Sequence, residues 1–264
     1  MQKKMERHMA QSNRAAQFSA LHTAGAPLIL YNIWDVGSAQ AVAKGGASAI
    51  ATGSWAIART QGFGDGEAMP LDQSLTILGN ITSTVDLPIT FDFEAGYADT
   101  LADLSANTRK VIEAGAVGIN FEDQVIGGDG LVQTKDQCAR ITAIRKVADD
   151  AGVALFINAQ TDVFFKGAAA DTHPDLMGEA LDRARAYADA GANGLFVPGL
   201  ADADLIGQLS QQSPSPVNIM CNANSPDIAT LTQLGAARIS HGPGPFIQLM
   251  AELTKRAAAI YGSG

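Results

Sequence analysis

The segment Ile89-Thr90-Phe91-Asp92-Phe93-Glu94-Ala95-Gly96-Tyr97 begins as an apolar strand and ends in two carboxylates with a glycine just beyond. The pattern recurs at Gly118-Ile119-Asn120-Phe121-Glu122-Asp123. A charge at the C-terminal end of a buried strand must be paired, protonated or bound to a cation. Residues 92 and 94 share strand parity, so both can face one side where the strand runs out. Acids delivered from two strand ends to one mouth suit a hard divalent ion such as Mg²⁺, which keeps several waters. No His or Cys cluster has the spacing of a zinc site. The competing reading of Asp92, Glu94 and Glu122 is helix capping or salt bridging around a rim.

These acids need elements to hold them, and the chain supplies a regular alternation. Short apolar runs lie at Leu28–Tyr31, Ala49–Ala51, Ile89–Phe93, Gly118–Phe121, Ala154–Asn158, Gly194–Val197, Val217–Met220 and Arg238–Ser240. Helical patterns separate them at Leu101–Ala114, Lys135–Asp150, Leu176–Ala190, Asp202–Gln211 and Ser225–Leu234. Gly115, Gly191 and Gly235 each follow such a pattern, where a left-handed residue stops the helix. Strands too short to alternate, each followed by a helix, must be parallel and covered on both faces. Eight such units in 264 residues predict a single-domain α/β fold, a closed (β/α)8 TIM barrel. A helix up to about His22 would close the bottom or rim. The last helical pattern, Phe246–Tyr261, would cap the barrel or pack on a partner subunit. Asn32-Ile33-Trp34-Asp35 follows the first strand where a dinucleotide fold would carry Gly-x-Gly-x-x-Gly.

Barrel chemistry sits at the C-terminal ends of strands. There the sequence offers Asn32; Thr52, Gly53, Ser54 and Trp55; Asp65 in a Gly-rich loop; Gln160; Asn218; and Arg238 and His241. Thr52-Gly53-Ser54 could present hydroxyls and N–H groups to a substrate carboxylate or phosphate, or be an ordinary turn. Asp65 could orient a water on a bound metal ion. Trp55 could wall the pocket or simply pack, and His241 fits a structural role as well as a substrate role. The Gly-rich stretch Val125–Thr134 could close over the site, or be an ordinary loop. Cys138 and Cys221 have no evident activating base, so a thiol nucleophile is not expected.

The net charge of −9 argues against nucleic acid or an anionic membrane as a partner. It leaves room for a small anionic substrate that finds local positive charge or a metal. No 18-residue apolar run is present, and the first residues are polar, so the chain reads as cytoplasmic. The one low-complexity tract is Lys166-Gly167-Ala168-Ala169-Ala170.

Along nearly its whole length the chain resembles the isocitrate lyase/phosphoenolpyruvate mutase superfamily. The resemblance rests on Asn32–Ala39, Gly62–Gly66, Asp92–Tyr97, Phe121–Gln124 and Asn158–Asp162. It implies a (β/α)8 barrel, commonly a homo-oligomer (dimer or tetramer) in which the eighth helix is exchanged between subunits. It also implies Mg²⁺, with Mn²⁺ as an alternative, holding a 2-oxo acid while a C–C or P–C bond is made or broken. By position, Asp92 looks like the metal-contacting acid, and Asp65, Glu94 and Glu122 like acids holding metal-bound waters. Thr52, Gly53 and Ser54 match the segment that grips the substrate carboxylate.

The chain departs from the family pattern in four places. Glu94 replaces the more usual aspartate, which keeps the charge and alters its reach. The Lys-Lys-Cys-Gly-His loop of the lyases is absent, and so is the Lys- and Asn-bearing gating loop of the mutases. Gln160 stands where the family has arginine, so neutral hydrogen bonds replace a bidentate cation. Either the substrate carries less charge there, Arg238 or Arg59 compensates, or activity is impaired. The expectation is a Mg²⁺-dependent lyase or decarboxylase acting on an oxaloacetate-like 2-oxo acid through an enolate. The alternatives are a phosphonopyruvate mutase or hydrolase, and a catalytically weakened barrel that binds a metabolite or partner.

Overall fold

The computed structural model describes residues 2–165 and 169–262, with side chains from residue 9 onward. Residues 166–168 of the low-complexity tract lie outside the described residues. The chain begins with helix α1 (Gln2–Ala20) and then alternates: β1 (Leu28–Leu30), α2 (Val36–Lys44), β2 (Ile50–Ala51), α3 (Ser54–Thr60), α4 (Leu71–Thr82) and β3 (Ile89–Asp92). There follow α5 (Leu101–Glu113), β4 (Gly118–Glu122), α6 (Thr134–Asp150), β5 (Phe156–Gln160), α7 (His173–Asp189) and β6 (Gly194–Phe196). The last units are α8 (Ala203–Gln212), β7 (Val217–Met220), α9 (Ile228–Gln233), β8 (Arg238–Ser240) and α10 (Gly244–Tyr261).

The strands form one eight-stranded parallel sheet in the order β1-β8-β7-β6-β5-β4-β3-β2. At the remaining seam, Ile33 N–H donates to Ala51 O at 2.9 Å and Gly53 N–H to Ile33 O at 3.1 Å. This single bridge between Ile33 and Thr52 brings the two sheet edges together, so the barrel is nearly closed. Arg238 Nη2 on β8 donates to Asn120 Oδ1 on β4 at 2.9 Å. These strands are half the cycle apart, so that bond crosses the interior.

Local sequence explains most boundaries. Thr100 caps α5 by accepting from Asp103 N–H, and Leu104, Thr108, Val111 and Ile112 form its buried face. Gly115, Gly191 and Gly235 take φ of 101°, 107° and 92°, the left-handed stop the sequence predicts. β5 runs two residues later than the expected Ala154–Asn158 and ends at Gln160. Asn158 looked like a strand end because it is polar, yet it points into the barrel and donates to Asn120 Oδ1 at 2.9 Å. α9 is shorter than expected because Asp227 caps it by accepting from Thr230 N–H, which leaves Ser225 in the preceding turn.

Apolar residues between the strands and the helices form the main cores. At the N-terminal end of the barrel, Phe18 of α1 meets Phe156 edge-on at 5.6 Å and His22 stacks on the same ring at 3.9 Å. The first helix thus closes the bottom, and burial pushes the His22 imidazole down to about 3. Among the described residues no helix is long and apolar enough to cross a membrane.

Candidate active site

A cavity of about 480 Å³ opens at the C-terminal mouth of the strands. Its polar lining includes Asn32, Gly53, Ser54, Asp65, Asp92, Glu94, Asn120, Glu122, Gln160 and Asp162, and Phe165, Phe196, Pro198 and Met220 supply apolar wall. Among the described lining residues there are five carboxyl side chains and no Lys, Arg or His.

Each acid is placed by its strand end. Asp92 closes β3, with its N–H donating to Thr52 Oγ1 at 2.9 Å and its Oδ2 accepting from Ser54 N–H at 2.9 Å. Burial raises the Asp92 pKa, the Ser54 bonds pull it down, and Asp65 adds repulsion. Glu94 sits in the next turn with φ 48°. Its Oε2 accepts from Glu67 N–H at 2.6 Å, and its Oε1 accepts from the Tyr97 hydroxyl. Burial is the main reason its pKa rises to about 7. Glu122 ends β4 directly across from Gln160. Burial, followed by repulsion from Asp162, Asp92, Glu94 and Asp65, pushes it up to about 10. Asp65 is likewise raised, chiefly by burial.

Gln160 occupies the centre of the acidic wall, where its Nε2 donates to Glu122 Oε2 at 3.1 Å and to Asp162 Oδ1 at 2.8 Å. A neutral amide satisfies acceptors there without neutralising them. The four acids singled out in the sequence therefore do share one cavity. They do not form a ready-made direct ligand set: no three His, Cys, Asp or Glu side chains among the described residues are grouped to hold a metal. Both Glu94 oxygens and one oxygen each of Asp92 and Glu122 accept hydrogen bonds from the protein.

The other residues singled out in the sequence divide into two groups. Asn32, Gly53, Ser54, Trp55 and Gln160 line the cavity. Asn32 also binds the barrel seam, donating to Thr52 O at 2.9 Å and accepting from the N–H groups of His241 and Gly242. Trp55 packs edge-on against Phe246 and lies beneath the Arg59 guanidinium. Thr52, Asn218, Arg238 and His241 stand outside the lining. Thr52 is buried and supports Asp92; Asn218 Oδ1 accepts from Ser240 Oγ at 3.2 Å. Arg238 is wholly buried below the cavity floor, which lowers its pKa to about 9, with Asp92 acting in the opposite sense. The His241 ring lies 5.2 Å from that of Tyr31.

The lining also includes Asp162, the last residue of the Asn158–Asp162 motif, and Asn120, which was given no role in the sequence reading. Asn120 was legible, since it shares parity with Glu122. Asp162 needed the turn after β5, held where its N–H donates to Asp123 Oδ1 at 3.0 Å. Asp123 itself faces away from the mouth and is buried against Tyr187 (2.7 Å) and Arg183 (3.1 Å) of α7. The stretch after β4 folds on itself through a Gln124–Leu131 bridge, and Val132 N–H donates to Asp123 O at 2.7 Å. Burial raises the thiols of Cys138 and Cys221.

Comparison with known proteins places this geometry. The family model described as phosphoenolpyruvate phosphomutase matches residues 18–261. An uncharacterised protein of Mycobacterium tuberculosis is 32% identical over 229 residues, covering 87% of this chain and 83% of the relative. The 2-methylisocitrate lyase of Escherichia coli is 25% identical over 227 residues, covering 83% and 70%. The crystal structure of a candidate phosphonomutase from Burkholderia cenocepacia J2315 superposes with a TM-score of 0.91 at 47% identity, covering 96% of this chain and all of that one.

Proposed function

Because the chain belongs to the phosphoenolpyruvate phosphomutase family, we propose that it is an enzyme that breaks or transfers the bond one carbon away from the carbonyl of a small 2-oxo acid. A carbon–phosphorus bond is the leading case, which reverses the order expected from the sequence. The 47% identity to a candidate phosphonomutase supports that order. The carbon–carbon reading, with an oxaloacetate-like substrate, rests on a specific observation. No guanidinium or ammonium lines the described cavity to hold a phosphonyl group, and Gln160 offers only an amide.

The observation that carries the reading is the charge of the lining. Five carboxyls and no cationic side chain among the described lining residues leave an anionic acid no positive charge to meet, and burial, with mutual repulsion second, raises Glu122 and Glu94. A divalent cation fits this donor set, with Asp92 to hold it and Asp65, Glu94 and Glu122 to orient its waters. Bound there, it supplies positive charge to the substrate's carboxylate and oxo oxygens as the bond breaks. The chain's own residues do the rest. Asn120 and Gln160 offer amides to the oxo acid, and the wall of Phe165, Phe196, Pro198 and Met220 excludes water.

The deciding experiment supplies phosphonopyruvate and oxaloacetate in parallel, with Mg²⁺ or Mn²⁺ and without. Phosphate or phosphoenolpyruvate formed from the first supports phosphorus–carbon chemistry. Oxaloacetate loss faster than with free metal supports the carbon–carbon reading. Consumption of neither substrate leaves the weakened, metabolite-binding barrel. We also propose that a second copy of the chain covers α10, whose Ile247, Leu249 and Leu253 are exposed; light scattering reading a monomer would refute this.

A further inference from the structure

Two turns meet at the rim of the cavity, and both are held in the left-handed region. The non-glycine residues with positive φ among the described residues are Glu67 (59°), Glu94 (48°) and Tyr97 (53°). All three bond to one another. The Tyr97 hydroxyl donates to Glu94 Oε1, Glu67 N–H donates to Glu94 Oε2 at 2.6 Å, and Tyr97 N–H donates to Glu67 Oε1 at 2.7 Å. Such conformations persist only where surrounding contacts over-determine them, and they collect at functional sites.

The two turns are anchored unequally. The turn carrying Tyr97 is fixed from behind: Asn107 Nδ2 on α5 donates to Tyr97 O at 2.8 Å, and Arg140 on α6 donates to Ala95 O. Gly96 at its centre has φ 92°, and a Cβ there would come within 2.4 Å of Leu104 Cδ1. The facing loop turns at Gly62 and Gly66, with φ 82° and 74°, and carries Asp65 into the cavity lining. Close to Asp65, Glu67 ties this loop to the barrel through its N–H and its Oε1.

We propose that Tyr97 is a positioning residue that, through Glu94 and Glu67, latches the Gly62–Gly66 loop and so holds Asp65 in the cavity. The longer reach of Glu94 has a use here, since a glutamate at the strand end can accept from both the hydroxyl and the loop amide. The consequence for a bound cation rests on the reading given under Proposed function; the latch itself does not.

The test combines amide hydrogen exchange of the metal-free protein with calorimetric titration of Mg²⁺. Tyr97→Phe removes only the hydroxyl and keeps the ring stacked on Phe93. Exchange over residues 62–68 should quicken about tenfold, and Mg²⁺ should bind about tenfold more weakly, as expected for losing a bond to a charged group. Glu67→Ala should behave likewise, while Glu67→Gln, which keeps an acceptor for Tyr97 N–H, should restore slow exchange. Unchanged exchange in both Tyr97→Phe and Glu67→Ala overturns the proposal. So does faster exchange with undiminished Mg²⁺ affinity, because Asp65 would then not depend on the latch. A wild-type protein that takes up no Mg²⁺, yet shows the exchange pattern, removes the cation reading and leaves the latch standing.

Discussion

The side-chain nitrogen of Gln160 lies 3.1 Å from Glu122 Oε2 and spends its other hydrogen on Asp162, 2.8 Å away. One neutral amide therefore spans two buried acids and adds no charge of its own. That relationship sets the electrostatics of the wall facing Asp92.

Gln160→Arg places a cation between Glu122 and Asp162. Oxalate, a planar mimic of a 2-oxo acid's carboxylate end, should then bind about tenfold more tightly, as a charge-assisted pair replaces a neutral one. Isothermal titration with oxalate and Mg²⁺ reads this directly. Unchanged affinity would mean that the substrate's anionic end rests elsewhere.

Asp92→Asn keeps an acceptor for Ser54 N–H but removes the charge. Mg²⁺ affinity should fall by more than the ~10–100-fold typical of outer partners, whereas Glu122→Gln should fall within that range. Equal losses in the two variants would contradict Asp92 as the direct ligand. Circular dichroism checks that both remain folded.

The raised carboxyls make the stability of the metal-free protein depend on pH. Glu94 is protonated up to about 7 in the folded protein and only to the ordinary glutamate range when unfolded. Between those values the folded state binds more protons, so stability falls as pH rises through that window; Glu122 extends the decline toward about 10. Thermal melts from pH 5 to 9 should show a falling midpoint, flattened in Glu122→Gln. Added Mg²⁺ should restore the midpoint more strongly at the higher pH. A midpoint that climbs over the same range would contradict the assigned shifts.

Arg183→Ala strands Asp123, which is fully buried and pairs with Arg183 and Tyr187. Leaving that charge unpaired should cost roughly 3–5 kcal/mol, measured by urea unfolding. Because Asp123 accepts from Asp162 N–H, the turn carrying Asp162 should loosen in the same variant. A loss below 1 kcal/mol would show that Asp123 takes up a proton instead.

The alternation of apolar runs and helical patterns made the barrel legible before any coordinates. Strand and helix periods are local properties, and the left-handed glycines at 115, 191 and 235 mark helix ends wherever the fold places them. Asp92, Glu94 and Glu122 were legible for a similar reason, since a carboxylate at the end of an apolar strand has few stable settings. What the local pattern could not carry was the fate of each side chain across the barrel. Arg238 opens β8 and Asn218 is the second residue of β7, so neither lies at the C-terminal strand end; one crosses the interior to Asn120 and the other accepts from Ser240. His241 turns to Tyr31, and Asn32 spends its amide on the seam.

The chain alone thus determined the fold, the strand ends from which acids reach the mouth, and the family pattern they follow, because periodicity and residue type act over a few neighbours. Only the tertiary structure decided which oxygens remain available. Glu94 is held by Tyr97 and Glu67, Glu122 by Gln160, and Asp92 by Ser54, through contacts between strands and loops far apart in sequence. Burial, which decides their protonation, is likewise a property of the closed barrel and of no single segment.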